Sequence, residues 1–382
     1  MNAQVKELLD KIDDKYPQSR LDKSRRKWEN LWNLNTPFAS PPVALHRGRY
    51  ADGAGHPVHH TPDDRRKLLI TMLDDIVQMG DIDDDYLPVL TLDTGAYILA
   101  EAFGGEHIYM GDRYRIEKFL ETPEDVKNLQ PFDPDAKHSY MDMVFETLRF
   151  FKEETAGRIP INIHTPQGPL ETLGCMWDSN GFYMALLDEP EIILQVLEKI
   201  LVAYIWYIRK QMAIIGPEQC RNCFAMSYTH RPFGSGIGVG EDVIATIGPD
   251  SFSLTLPIYQ AIAKEFGPIF LHSCGDPSQQ LPVVMANPMI AGIHFSQLDA
   301  EDFMPRITRP LVLHSRNDWT SFEQFRQYAG VAKQYNMRIA YQFQSLGNYM
   351  QVGADRFHYD TKLMNELFTG IRRILGEIYE KY

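Results

Sequence analysis

The sequence has little cysteine. Its 382 residues contain four, Cys175, Cys220, Cys223 and Cys274. These are too few for a disulfide framework, so reduced thiols or metal ligands are the better interpretation. The sequence also has no window of about 18 uninterrupted apolar residues that would span a bilayer, and its charged start lacks the apolar core and cleavage site of a secretory signal. These absences predict a cytoplasmic protein that does not enter a membrane.

The sequence also has fewer basic than acidic residues. The chain has 38 Lys and Arg against 51 Asp and Glu, a formal net charge of −13. Such a chain repels a phosphate backbone, which argues against nucleic acid as a partner. With 44% hydrophobic residues, the sequence can fill a large packed core, and we expect a small-molecule substrate.

From residue 41 onward, short apolar runs alternate with longer helical patterns. The runs are PPVALH near residue 42, VLTLD near 90, IPINIH near 160, CRNCFAMS near 220, PIFLHSC near 268, AGIHFSQ near 291, RPLVLHSR near 309 and MRIAYQFQ near 337. This alternation favours a parallel sheet, and eight strands without a break in composition favour one (β/α)8 TIM-type barrel in an α/β protein. We predict an N-terminal helical arm over 1–40 and the barrel domain over 41–382.

Five histidines lie at or just before the ends of these runs: His46, His164, His272, His294 and His314. In a (β/α)8 barrel the loops after the strands carry the chemistry. Each histidine alone could be a core residue bonded to a carbonyl. Together they predict a polar barrel mouth.

The stretch IFLHSCGD contains the strongest single motif, His272 and Cys274. Residues i and i+2 of a strand face the same side, so the imidazole and the thiol can converge on one ion. This donor pair suits zinc, and three protein ligands would leave a fourth position open for a substrate. The alternative is a buried cysteine beside a hydrogen-bonded histidine.

Two other motifs are weaker. Cys220 and Cys223 would point to opposite faces of a strand and have no second ligand pair, so we expect no separate structural zinc site. The run FGSGIGVGED could wrap an anion with its N–H groups, which makes Gly236, Gly238 and the nearby Ser227 candidates for cofactor binding. It lacks the P-loop and dinucleotide patterns, so a flexible active-site loop is the better interpretation.

Several motifs are similar to those of the uroporphyrinogen decarboxylase superfamily, over roughly residues 80–350. They are LDTGAYILAEAFGG, QGPLETLGCMW, LLDEPEIILQVLEKI, IGPDSFSLTLPIYQAIAKEF and the His-x-Cys-Gly of IFLHSCGD. This superfamily includes decarboxylases of haem synthesis and zinc-dependent methyltransferases that act with corrinoid proteins. The resemblance, closest for the methyltransferase branch, implies the same barrel and a monomer or homodimer.

The sequence departs from both branches. The decarboxylases hold tetrapyrrole carboxylates with an arginine-rich N-terminal motif, whereas VALHRGRY offers only Arg47 and Arg49. The methyltransferases take a third zinc ligand from a cysteine at the end of the last strand, where this chain reads YQFQSLGN. His314 is the first candidate to replace it, and Gln344 or Glu171 are weaker ones, because imidazole is the commoner zinc donor.

The resemblance therefore implies a zinc-dependent methyltransferase that moves a methyl group between a corrinoid protein and a thiol or tetrahydrofolate. Asp93, His164 and His46 would position the acceptor or shuttle protons. Asp93 could equally cap the next helix. One alternative is a metal-independent lyase that decarboxylates a pyrrolic or aromatic acid, with Asp93 stabilising the cation. Another is a non-catalytic binder of a corrinoid or methyl carrier.

Overall fold

The computed structural model describes residues 1–45, 61–92, 94–95, 97–110, 113–221, 236–316, 318–343, 345–346 and 361–379. The helices are α1 Ala3–Lys15, α2 Gln18–Trp32, α3 Pro62–Met79, α4 Ile98–Glu101, α5 Pro123–Lys127, α6 Ser139–Thr155, α7 Pro169–Met176, α8 Ser179–Asp188, α9 Pro190–Ile215, α10 Pro249–Phe266, α11 Leu281–Ala286, α12 Ala300–Phe303, α13 Phe322–Gln334 and α14 Thr361–Ile378. The strands are β1 Val43–Leu45, β2 Leu90–Thr91, β3 His107–Met110, β4 Arg113–Ile116, β5 Ile161–Asn162, β6 Cys220–Arg221, β7 Ile237–Gly240, β8 Ile269–Ser273, β9 Ile290–Phe295, β10 Val312–His314, β11 Asp318–Trp319, β12 Arg338–Phe343 and β13 Ser345–Leu346. In this part of the chain, no helix combines the length and the apolarity that a bilayer crossing requires.

The interior strands are parallel and form two sheets, β1-β12-β10-β9-β8-β7 and β2-β5-β6. Single main-chain bonds connect these sheets on both sides: the N–H of Gly168 donates to the carbonyl of Gly240, and that of Asp85 to the carbonyl of Val43, each at 2.8 Å. The strands follow one another in chain order, and the described residues place a helix between each consecutive pair of these interior strands except β6 and β7. The predicted α/β fold of (β/α)8 type is confirmed, although the strand ladder is not continuous around the ring over the described residues.

Each of the eight predicted runs contains a strand, and β7 is an additional one. The interpretation of the glycine-rich run as a loop was wrong for Ile237–Gly240. Ile237 and Val239 are buried, and Gly238 lies opposite Phe270 in the parallel ladder with β8. Branched residues alternating with glycine can form a fully buried strand, and the glycine content of the run obscured this pattern.

Helices α1 and α2 lie within the predicted N-terminal arm and pack on the barrel. Helix α1 shares its hydrophobic core with the strands, and α2 contacts β12. Arg338, buried at the start of β12, donates hydrogen bonds to the carbonyls of Leu31 at 3.0 Å, Thr36 at 2.7 Å and Asn30. The starts of the strands form the face that mainly supplies stability. The arm covers part of that face, and its division from the barrel domain at residue 40 stays a prediction.

Replacing Arg338 by methionine is expected to lower the free energy of unfolding by about 2–3 kcal/mol, because three carbonyls lose a charged donor. Urea denaturation measures this loss. Arg25, in the same arm, is 41% exposed and pairs with Asp22 on the surface. Arg25→Met is therefore expected to cost less than about 0.5 kcal/mol. Equal losses from the two substitutions would contradict the role assigned to Arg338.

Candidate metal centre

His272 and Cys274 bring a nitrogen and a sulfur together at the end of β8. Nε2 of His272 lies 3.6 Å from Sγ of Cys274. His272 is buried, whereas Cys274, just after the strand, is half-buried. The two side chains lie on the same side of the backbone, as their spacing of two residues predicts. Their role as metal ligands stays a prediction.

Asp242 supplies a third donor that the sequence analysis missed. It begins the short 3-10 helix Asp242–Ala245 directly after β7. Its Oδ1 lies 3.8 Å from Nε2 of His272 and accepts the backbone N–H of Cys274 at 2.8 Å. Donor atoms from these three residues lie within 4.8 Å of one another. Ligands of a tetrahedral zinc ion lie about 3.3–3.7 Å apart, so the spacing of this donor set is compatible with zinc.

The surroundings of Cys274 favour the protonated thiol over the thiolate. Burial raises the pKa of Cys274 to about 11, and the charge of Asp242 adds to this effect. Without a metal ion the sulfur is therefore a neutral thiol at pH 7. A divalent cation would reverse this preference, because it stabilises the thiolate directly.

We call Asp242, His272 and Cys274 the triad. A cavity of about 630 Å³ opens beside the triad, and Asp242 also lines this cavity. Its inner lining includes Tyr97, Glu171 and Cys175, and its basic residues include Lys118. Burial raises the pKa of Tyr97 to about 12, and the neighbouring acidic groups add to that effect. The cavity thus combines an acidic, thiol-bearing wall with cationic side chains, and it is large enough for a small-molecule ligand.

Glu171 lines this cavity and has a pKa near neutral pH. Burial raises its pKa to about 7, although a hydrogen bond from the N–H of Val243 to Oε2, at 2.6 Å, opposes this rise. Its other oxygen, Oε1, lies 3.9 Å from Sγ of Cys175. A carboxyl group with this pKa can both accept and release a proton at neutral pH.

Glu241 holds the start of α7, which carries Glu171. Its fully buried carboxylate accepts the backbone N–H groups of Leu170 at 3.2 Å and Glu171 at 2.6 Å, and the hydroxyl of Tyr259 at 2.7 Å. Burial raises the pKa of Glu241 to about 8 despite these donors. Glu241 was not a sequence candidate, because only the fold brings the end of β7 under this helix.

The structure places His314 apart from the three converging donors. It lies on β10, and the ring of His294 on β9 stands between it and His272, with centroids 4.5 Å and 4.8 Å away. Nδ1 of His314 donates to the carbonyl of Ser315 at 2.9 Å. Its assignment as the third ligand stays a prediction, and the donor that lies beside His272 and Cys274 is Asp242.

His164 is buried just after β5. Its Nε2 lies 3.2 Å from Oγ1 of Thr94 and its Nδ1 lies 2.9 Å from the hydroxyl of Tyr207. Both ring nitrogens are therefore held by hydroxyl groups, an arrangement that fixes the ring. Its catalytic role stays a prediction.

The remaining sequence candidates fall into two groups. Gly238 belongs to β7, and Gly236 immediately precedes that strand with a φ of 132°. Their part in cofactor binding stays a prediction. The others lie outside the described residues: His46, Arg47, Arg49, Asp93, Cys223, Ser227 and Gln344.

Comparison with known proteins agrees with this architecture. The sequence model for uroporphyrinogen decarboxylase (URO-D) matches residues 90–214, about a third of the chain. This match agrees with the resemblance of the sequence motifs to the uroporphyrinogen decarboxylase superfamily. Among solved structures, a methyltransferase from Methanosarcina mazei is similar in fold, with a TM-score of 0.63 and 16% sequence identity over 92% of this chain and 98% of that one. Comparison with curated protein sequences found no match to this chain.

Proposed function

We propose that this protein is a zinc-dependent methyltransferase that moves a methyl group between a corrinoid protein and a thiol or tetrahydrofolate acceptor. The observation that carries the proposal is the convergence of the donor atoms of Asp242, His272 and Cys274 beside a cavity at the strand ends. The similarity in fold to the Methanosarcina mazei methyltransferase supports it. A cytoplasmic location and a monomeric or homodimeric state stay predictions.

The three donors suit an ion that needs thiolate and imidazole ligands and an open position. When bound, zinc supplies a lowered thiol pKa, so that an acceptor sulfur is ionised at neutral pH. His272, Cys274 and Asp242 would hold the ion, and the cavity beside Asp242 would hold the acceptor. Three protein ligands are typical of catalytic rather than structural zinc sites.

Glu171 would take up the proton that a thiol acceptor loses. Its pKa of about 7 suits this role, because a general base works best when its pKa lies near the working pH. The N–H of Val243 holds Oε2, while Oε1 lies near Cys175 on the cavity wall. In the transfer to a thiol, the acceptor sulfur would supply the electron pair of the new S–C bond, and the electron pair of the broken bond would stay with the corrinoid donor.

Metal analysis and a methyl-transfer assay test the proposal together. Protein purified without chelators is expected to contain about one zinc ion per chain, and to demethylate methylcobalamin when a small thiol or tetrahydrofolate is supplied. Chelation should abolish turnover and zinc should restore it. A metal content near zero that added zinc does not raise would remove this function.

A metal-independent decarboxylase of a pyrrolic or aromatic acid is the second candidate. The match of residues 90–214 to the decarboxylase family favours it. This activity would release carbon dioxide from a porphyrinogen in the presence of a chelator. Asp93→Asn would abolish the release without unfolding the protein. Chelator-sensitive methyl transfer without such release would exclude the decarboxylase.

A further inference from the structure

Three buried histidines stand side by side on neighbouring strands. His272 on β8 is paired in register with His294 on β9. On β10, His314 lies one residue beyond the pairing of Leu313 with Ile293, which places it beside His294. All three are at most 3% exposed. We call His272, His294 and His314 the histidine ladder.

The hydrogen bonds of the ladder restrict where its protons can lie. Nδ1 of His272 lies 2.9 Å from Nδ1 of His294, so one of them donates and the other accepts. At the far end, Nδ1 of His314 must carry a proton, because its partner is the carbonyl of Ser315. A neutral imidazole has one donor and one acceptor nitrogen. Nε2 of His314 is therefore an acceptor.

A metal ligand at Nε2 of His272 would determine the remaining protons. That nitrogen faces Cys274 and Asp242, and a ligating nitrogen carries no proton, so the proton of His272 would lie on Nδ1. His294 then accepts it at Nδ1 and carries its own proton on Nε2. Nε2 of His294 and Nε2 of His314 are both buried, and the polar groups beside these two rings include the carbonyl of Ser315 and the side chain of Gln342.

We propose that His294 is a positioning residue that holds His272 in the tautomer whose Nε2 lone pair faces Cys274 and Asp242, with His314 as the end of the ladder. This inference rests on the proposed zinc function. Metal-bound histidines usually donate their second N–H to a carboxylate, a carbonyl or water. A neutral imidazole in that place orients the ligand while adding less negative charge to the metal than a carboxylate would.

Histidine NMR on the intact protein tests the tautomers directly. Long-range ¹H–¹⁵N correlations of ¹⁵N-histidine-labelled, metal-free protein are expected to show the His272 proton on Nδ1 and the His294 proton on Nε2. The opposite pair, with His294 protonated on Nδ1 and His272 on Nε2, would overturn the inference. This readout does not require that zinc binds, so it separates failure of the ladder from failure of the proposed function.

Zinc affinity, measured by chelator competition, provides the second test. His294→Leu removes the acceptor and is expected to weaken binding about 10- to 100-fold. His294→Asn, whose amide oxygen can take the place of Nδ1, should restore most of that loss. The control is His138→Gln, a buried histidine at the start of α6 that bonds the carbonyl of Asp133; its zinc affinity should not change. If a folded His294→Leu protein bound zinc with unchanged affinity, the positioning role of His294 would be refuted, but the zinc site itself would not.

Discussion

Replacing Cys274 by serine is expected to weaken zinc binding about 100- to 1000-fold. Zinc binding to a structural site is worth about 10–16 kcal/mol over four ligands, so one ligand contributes about 3 kcal/mol. A serine hydroxyl keeps its proton at neutral pH and does not replace a thiolate. Sγ of Cys274 also lies 3.6 Å from Nε2 of His272, so its loss removes one side of the triad. Chelator competition at constant pH measures the change.

Two further variants separate the ligand role from general effects on the cavity. Cys175→Ser changes a thiol that lines the cavity beside the triad but is not one of its donors, and should leave zinc affinity unchanged. Asp242→Asn keeps an oxygen that can accept the N–H of Cys274 but removes the charge, and should weaken binding about tenfold. Wild-type affinity in Cys274→Ser would contradict the site. An equal loss in Cys175→Ser would contradict the assignment of the ligands.

Replacing Gly168 by alanine is expected to lower the free energy of unfolding by about 3 kcal/mol. The added Cβ would lie 2.0 Å from Oε1 of Glu241 and 2.9 Å from a methyl carbon of Val239. Glu241 cannot move aside easily, because its buried carboxylate holds the start of α7 and the hydroxyl of Tyr259. Overpacking and the loss of hydrogen bonds to the buried Glu241 carboxyl group together account for this magnitude. Urea denaturation measures it.

Gly248 is a matched control for this substitution. Gly168 and Gly248 are both N-cap residues followed by proline, with φ values of −68° and −73°. A Cβ at Gly248 would meet no atom within 4 Å. Gly248→Ala should therefore change stability by less than about 0.5 kcal/mol. Similar losses for the two alanine variants would show that the backbone, and not the contact with Glu241, causes the effect.

Local rules were enough to predict the architecture and one pair of donors. A short apolar run between two helical patterns must be buried, and a series of such runs closes most simply into a parallel barrel. The convergence of His272 and Cys274 also follows from local geometry, because strand side chains alternate with period two.

Asp242 was missed because its strand was missed. The run GIGVGED contains a buried strand, β7, followed by Glu241 and Asp242, but its glycines were interpreted as a loop. Had Ile237 and Val239 been recognised as strand residues, the acidic pair after them would have lain at a strand end. The error arose because the glycine content of the run was given more weight than its alternation of branched residues with glycine.

The sequence by itself determined eight of the buried strands, the longer helices, and that an imidazole and a thiol leave β8 on the same side. These features depend on the periodicity of a single segment. The tertiary structure alone decided that Asp242 joins this pair, that Glu241 lies under α7, and that His272, His294 and His314 stand in one row. Those contacts depend on the register between strands that are distant in sequence, and register is set by packing of the whole core rather than by any one strand.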